Sequence, residues 1–237
     1  MFPGKFITLE GPDGAGKSSV IAELTAYLEG QGHQVLTTRE PGGVPIAEEI
    51  RRVILDVDHT AMDPRTEALL FAAARRQHLV EVILPALRQG KIVLCDRFVD
   101  SSLAYQGMAR DIPVDLIWSI NQFAVEDQLP ALTLLIDVPA EVGLARIHQA
   151  RGQRQYDRLD QESLDFHNRV RQAFLDLAQA SPERIKVIDG QARLWLLVLT
   201  FYINMPSRDR EEKEYHDEIN YCYCSRSRPK RIEPRFL

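Results

Sequence analysis

The chain has 237 residues, 45% of them hydrophobic and 27% charged, enough apolar material for one globular domain around a substantial core. Its formal net charge of −5 excludes a protein that holds long nucleic acid by neutralising the phosphate backbone, so no nucleic-acid partner is expected. The start lacks a secretory pattern, no apolar run is long enough for a membrane span, and Cys95, Cys222 and Cys224 lack zinc-site spacing, so ordinary thiols in a reducing cytoplasm and no membrane partner are expected.

Phe6 to Leu9 form a short apolar run that stops at a glycine-rich turn, after which Val20, Ile21, Leu24, Tyr27 and Leu28 recur at helical spacing. That is strand, loop, helix. The loop Gly11, Pro12, Asp13, Gly14, Ala15, Gly16, Lys17, Ser18 fits the pattern of glycine, four residues, glycine, lysine and a hydroxyl residue. Its glycines let successive backbone amides turn inward as an anion nest, and the following helix aims its positive end at phosphates. Lys17 is expected to reach the β and γ phosphates of ATP, and the Ser18 hydroxyl to be a Mg²⁺ ligand. The loop alone leaves a kinase, an ATPase and a GTPase switch all open.

The helix should end near Gly30 or Gly32, with a second strand over Val35 to Thr38. Arg39, Glu40, Pro41, Gly42 and Gly43 then break regular structure and leave Arg39 facing a cleft. Further on, Phe71 and Arg75 stand one helical turn apart, so a ring and a guanidinium share a helix face and together could hold one flat base. Ile92 to Cys95, Leu132 to Ile136 and Ile185 to Ile188 complete five candidate strands, the first four ending at charged residues: Glu10, Arg39 with Glu40, Asp96 with Arg97, and Asp137. Strands alternating with helices predict an α/β, three-layer P-loop NTPase fold, a five-stranded parallel sheet with helices on both faces and the ligand beyond the strands' carboxyl ends.

Several separate motifs in this order resemble bacterial thymidylate kinase, over about Lys5 to Asp189. They are the phosphate loop, Thr38 to Gly43, Leu69 to Arg75, Asp96-Arg97-Phe98 through Tyr105-Gln106-Gly107, and an arginine segment near Arg151. The resemblance implies transfer of the γ-phosphoryl group of ATP to dTMP, giving dTDP and ADP for dTTP synthesis, with a tendency to form a homodimer. ATP contacts would come from Gly11 to Ser18 and Ser19. Phe71 would stack on thymine, with Arg75 and Gln106 on the base edge, and Arg39 and Arg97 would hold the acceptor phosphate. Glu40, Asp96, Ser101 and Ser102 would complete the acceptor site, and Tyr105 would crowd the ribose 2′ position. Asp13 would contact the sugar hydroxyl or the metal shell, making Ser18 and Asp13 the metal ligands with Asp96 as a further candidate. Position 98 is phenylalanine where the family often has tyrosine or histidine, so Phe98 is left out of the site.

Residues 149–160, with Arg151, Arg154 and Arg158 among glycine and glutamines, follow a helix opened by Pro139 and precede a helical pattern of Leu164, Val170, Phe174 and Leu177. Such a segment can close over the donor phosphates and exclude water. Because the phosphate loop carries Gly14 where some thymidylate kinases have arginine, the resemblance assigns transition-state charge to these lid arginines, making Lys17, Asp13, Arg97, Arg151, Arg154 and Arg158 the expected catalytic set. Residues 1–190 are thus read as the kinase-like domain, 191–205 as an atypical apolar closing helix and 206–237 as a mobile charged extension.

Overall fold

The computed structural model describes residues 2–150 and 157–192. Strands β1 (Lys5–Glu10), β2 (Val35–Arg39), β3 (Ile92–Asp96), β4 (Leu132–Asp137) and β5 (Ile185–Asp189) form one parallel sheet in the order β2-β3-β1-β4-β5. All five fall on the expected apolar runs, and each extends one residue past its run to end on a charged side chain. Register aligns those ends: Leu9 pairs with Asp96, and Asp96 with Arg39, so Glu10, Arg39 and Asp96 meet at one sheet edge. Central strands are buried along nearly their whole length, which is why they read as continuous apolar runs rather than alternating ones.

Eight α-helices connect the strands among the described residues: α1 (Lys17–Gly30), α2 (Pro45–Leu55), α3 (Pro64–His78), α4 (Leu84–Arg88), α5 (Val99–Ser102), α6 (Val114–Val125), α7 (Ala140–Gln149) and α8 (Leu164–Ala180). Helix α3 starts where Asp63 accepts from the amides of Arg65 and Thr66 with Pro64 at the first helical position, a combination that satisfies otherwise orphaned donors. It runs through a π turn (Leu79–Ile83) into α4, and α5 likewise runs into a π turn (Leu103–Ala109) that carries Tyr105 and Gln106. Such wider turns recur at functional sites, because the extra residue re-aims neighbouring side chains.

One core cluster includes Phe6, Leu79, Ile83, Val93, Cys95 and Phe98; another joins Leu135 and Ile185 to Val170 and Phe174 of α8. Leu164, the first residue of the helical pattern read for α8, is 43% exposed, whereas Phe166 is buried. Ser163 explains the difference: its hydroxyl accepts from the Phe166 amide as the helix cap, so Leu164 falls at the outward-facing first position. The expected closing helix and charged extension lie outside the described residues but for Gln191 and Ala192. Among the described residues no helix is long and apolar enough to cross a membrane.

Candidate active site

The phosphate loop joins β1 to α1 and needs its glycines for two reasons. Gly11 and Gly14 have φ of 138° and 73°, and a Cβ on either would stand 2.2 Å from a backbone oxygen, Ile136 O for the first and Gly143 O for the second. The loop thereby leans on β4 and α7 too closely for any side chain. Lys17 is buried at the start of α1 and donates from Nζ to Gly11 O (3.1 Å) and Pro12 O (3.0 Å). Burial, then the nearby Arg97 cation, lowers its pKa, while Asp96, Asp13 and Glu10 oppose that shift. An anion in the loop would restore the balance.

Beside it, Ser18 Oγ donates to Asp96 Oδ2 at 3.4 Å, and Asp96 Oδ1 is buried with no hydrogen-bond partner among the described residues. An orphaned buried carboxylate oxygen next to a hydroxyl is a donor set suited to a hard, oxygen-seeking cation such as Mg²⁺. Asp13 fits that role less well, because Oδ1 accepts from Arg97 (2.6 Å) and Oδ2 from the Tyr105 hydroxyl (2.7 Å). Burial pushes the Asp13 pKa up, but Arg97, Lys17 and the Tyr105 bond outweigh it and hold the carboxyl well below the usual range.

Loop, sheet edge and helices enclose a cleft of about 600 Å³. Its wall includes Asp13, Gly14, Gly16, Lys17, Ser18 and Ser19 from the loop end, and Arg39, Glu40, Phe71, Arg75, Asp96, Arg97, Ser101, Ser102, Tyr105 and Gln106 from the other. Gly11, Pro12 and Ala15 shape the loop behind that wall. The expected donor and acceptor halves thus open into one cavity.

Arg97 sits at φ 70°, a left-handed conformation that costs an L-residue energy and that its surroundings must enforce. Its guanidinium meets Asp13, the Ser101 hydroxyl (3.1 Å) and the Tyr105 hydroxyl (3.1 Å), with the Tyr105 ring 5.0 Å from the guanidinium carbon. Arg39 is held by both oxygens of Glu48 (2.9 and 3.2 Å) and by Pro41 O (2.9 Å).

Deeper in, Arg75 is 1% exposed although it is a cation. Its Nε donates to Glu40 Oε2 (2.7 Å), one terminal nitrogen to Ser102 Oγ (3.0 Å) and to Asn121 Oδ1, and the other to Phe98 O (2.8 Å). A guanidinium has five donors, so one N–H remains without a protein acceptor among the described residues. Glu40 also accepts from His78 Nδ1 (3.0 Å). Phe71, one turn before Arg75 on α3, presents its half-buried ring to the same cavity. The amide nitrogen of Gln106 donates to Glu67 Oε1 (2.8 Å), and the residue lines the same cavity.

The lid reading divides. Arg151 and Arg154 lie outside the described residues. Arg158 does not stand over the loop as expected: it is buried, donating to Ile54 O (3.0 Å) and pairing with Glu67, which also binds Arg110. A carboxylate as buried as Glu67 requires cationic donors, and Arg158 is one of them. Sequence reasoning also passed over Arg51 and Arg146, which line the cleft. Arg51 donates to Pro41 O (2.9 Å), and Arg146 to Gly14 O (3.2 Å) from α7. Neither stands in a motif, and only the cleft distinguishes them.

The thymidylate kinase family profile matches residues 9–197. A thymidylate kinase of Latilactobacillus sakei subsp. sakei is 59% identical over 196 residues, 82% of this chain and 91% of the relative. One of Enterococcus faecalis is 58% identical over 200 residues, 84% of this chain and 94% of the relative. The crystal structure of thymidylate kinase from Ehrlichia chaffeensis superposes with a TM-score of 0.69 at 32% identity, covering 86% of this chain and 99% of that one.

Proposed function

The chain belongs to the thymidylate kinase family, and on that premise we propose that it transfers the γ-phosphoryl group of ATP to dTMP, giving dTDP and ADP. The observation that carries the reading is the single cleft in which a phosphate loop with Lys17 and Ser18 faces Phe71, Arg75, Arg39 and Arg97. The nucleotide triphosphate enters from the loop side, its β and γ phosphates drawing Lys17 off the Gly11 and Pro12 carbonyls. Ser18 and Asp96 would hold Mg²⁺, and a bound ion supplies positive charge that offsets repulsion between the two phosphates.

The acceptor base lies flat on Phe71, and the remaining N–H of Arg75 donates to a base carbonyl. The Gln106 carbonyl offers an acceptor to a ring N–H. A pyrimidine carrying an amino group and an unprotonated ring nitrogen would meet the wrong partner at both. Arg39 and Arg97 take the acceptor phosphate, exchanging Glu48 and Asp13 for it. Asp13 then becomes available to the sugar, and Tyr105 fills the space beside the ribose. Catalysis under this reading is positioning plus charge: the protein brings two anions together and surrounds the moving phosphoryl group with Lys17, Arg97 and the lid arginines Arg151 and Arg154. Arg158 is left out of that set because its charge is spent on Glu67.

We also propose a homodimer, supported by Leu69 of α3 and by Leu116 and Phe123 of α6, which are 57%, 48% and 87% exposed on two helices that pack together. Work in the cytoplasm follows from the need for ATP and is consistent with Cys95 as a buried free thiol.

The test is ADP release with ATP and Mg²⁺, compared across dTMP, UMP, CMP, thymidine and no acceptor. Release dependent on dTMP is the expected result; equal release without acceptor would replace the reading with that of an ATPase.

A further inference from the structure

Glu10 closes β1, immediately before the phosphate loop, and is 0% exposed. Its carboxylate is committed to the chain that follows β3. Oε1 accepts from the Phe98 amide (2.7 Å) and the Ser101 amide (3.3 Å), and Oε2 accepts from the Ser101 hydroxyl (2.6 Å). The residue that caps α5 is Phe98, whose ring cannot accept a hydrogen bond, so Glu10 supplies from another strand the acceptor that a serine or aspartate usually provides locally. One residue earlier, the Arg97 amide donates to Leu9 O at 2.9 Å. The end of β1 therefore grips Arg97 on the amide of the residue itself and on the amide that follows it.

The side chain is gripped as well. The Ser101 hydroxyl spends its proton on Glu10 and presents a lone pair to Arg97 at 3.1 Å. One of the two other hydroxyl rotamers of Ser101 would turn its hydrogen against a guanidinium N–H. Glu10 thus fixes both the left-handed backbone of Arg97 and the polarity of the hydroxyl that orients its guanidinium. Asp100 adds a brace from the same helix: both its oxygens accept from Arg184 (2.7 and 2.8 Å), tying α5 to the chain ahead of β5.

We propose that Glu10 is a positioning residue for phosphoryl transfer: from beneath the sheet edge it holds Arg97, through the Phe98 amide and Ser101, in the orientation that receives the acceptor phosphate. The proposal rests on the reading of Arg97 as an acceptor-phosphate ligand. Acceptor capacity at this point matters because one carboxylate satisfies three donors, and an amide of the same shape would set an N–H against one of them.

The experiment compares Glu10→Gln, Ser101→Ala, Arg97→Ala and the double variant Glu10→Gln/Arg97→Ala by steady-state kinetics with dTMP and ATP varied separately, alongside thermal melts. Glu10→Gln is expected to raise KM for dTMP about tenfold or more and leave KM for ATP within about twofold, and to add little in the Arg97→Ala background. Ser101→Ala, which keeps the backbone cap, should show a smaller loss of the same selectivity. Should Glu10→Gln fail to fold, Ser101→Ala made with and without Arg97→Ala decides, a dTMP-selective loss that vanishes in the Arg97→Ala background supporting the relay, and an additive loss or none overturning it. A merely structural Glu10 would lower the melting temperature while leaving the dTMP and ATP constants of the folded fraction alike. That result, or additive losses in the double variant, overturns the proposal. Arg97→Ala with an unchanged KM for dTMP would instead remove the underlying reading of Arg97.

Discussion

Replacing Phe71 by alanine isolates the base contact better than any other substitution in the cleft. Phe71 is half-buried and makes no polar contact, so its removal strands no charge and should cost the fold at most about 1 to 2 kcal/mol. Arg75→Ala is a poorer probe. That arginine is 1% exposed and pairs with Glu40 at 2.7 Å, and breaking a buried pair costs about 3 to 5 kcal/mol by leaving the other charge uncompensated. A ring stacked on a base is worth about 1 to 3 kcal/mol by alanine substitution, which at about 1.4 kcal/mol per tenfold corresponds to roughly 5- to 150-fold in affinity. Calorimetric titration with dTMP should show that loss, titration with an unreactive ATP analogue should show almost none, and the melting temperature should fall by no more than about 8 °C. Equal losses for both nucleotides, or retention of full dTMP affinity, would refute the assignment of the base to this wall.

Lys17→Ala should nearly abolish transfer in a folded protein, read by ADP release and circular dichroism, since Nζ rests on the carbonyls of the loop expected to cradle the β and γ phosphates. Asp96→Asn should raise the Mg²⁺ concentration needed for half-maximal rate about tenfold or more, because the orphaned carboxylate oxygen loses its charge. Arg158→Ala should lower unfolding free energy by about 1 to 3 kcal/mol in a urea titration, while the folded enzyme keeps a kcat within a few-fold of the parent. A collapse of kcat with unchanged stability would return Arg158 to the catalytic arginines.

Legibility in the sequence followed the range of the interactions. Apolar runs buried on both sides need no partner to be recognised, so five strands could be read within one residue, and the phosphate loop could be read because a nest is a local backbone device. Phe71 with Arg75 was readable for the same reason, both standing on one helix. Partners far apart in the chain were not: Arg75 meets Asn121 of α6, Arg158 meets Glu67 of α3, and Glu10 meets Ser101 across the sheet edge. Arg158 shows how this misleads. An arginine near glycine and glutamines reads as a lid cation, and only the buried carboxylate at position 67 reveals where its charge goes. Arg51 and Arg146 show the converse, cations on ordinary helix faces that become cleft residues once the sheet sets the helices around it.

The acceptor side stores its cations already paired. Arg39 with Glu48, Arg97 with Asp13 and Arg75 with Glu40 each have a carboxylate partner at 2.9 Å or less. The three pairs differ in burial. Arg39 and Glu48 are 47% and 40% exposed at the side chain, so their attraction is screened and easily exchanged for a dianionic phosphate. Arg75 and Glu40 are 1% and 2% exposed, and Glu40 is further held by His78, so that pair is a fixed scaffold. Arg97 and Asp13 stand between, at 16% and 22%, and the proposed reaction must open their pair as well as that of Arg39 with Glu48. On the proposed reading, the gradient runs from buried pairs at the base to exposed pairs at the phosphate. Under this reading the base is recognised by groups that need no rearrangement, and the energy of phosphate binding is the difference between a phosphate and the carboxylates it displaces.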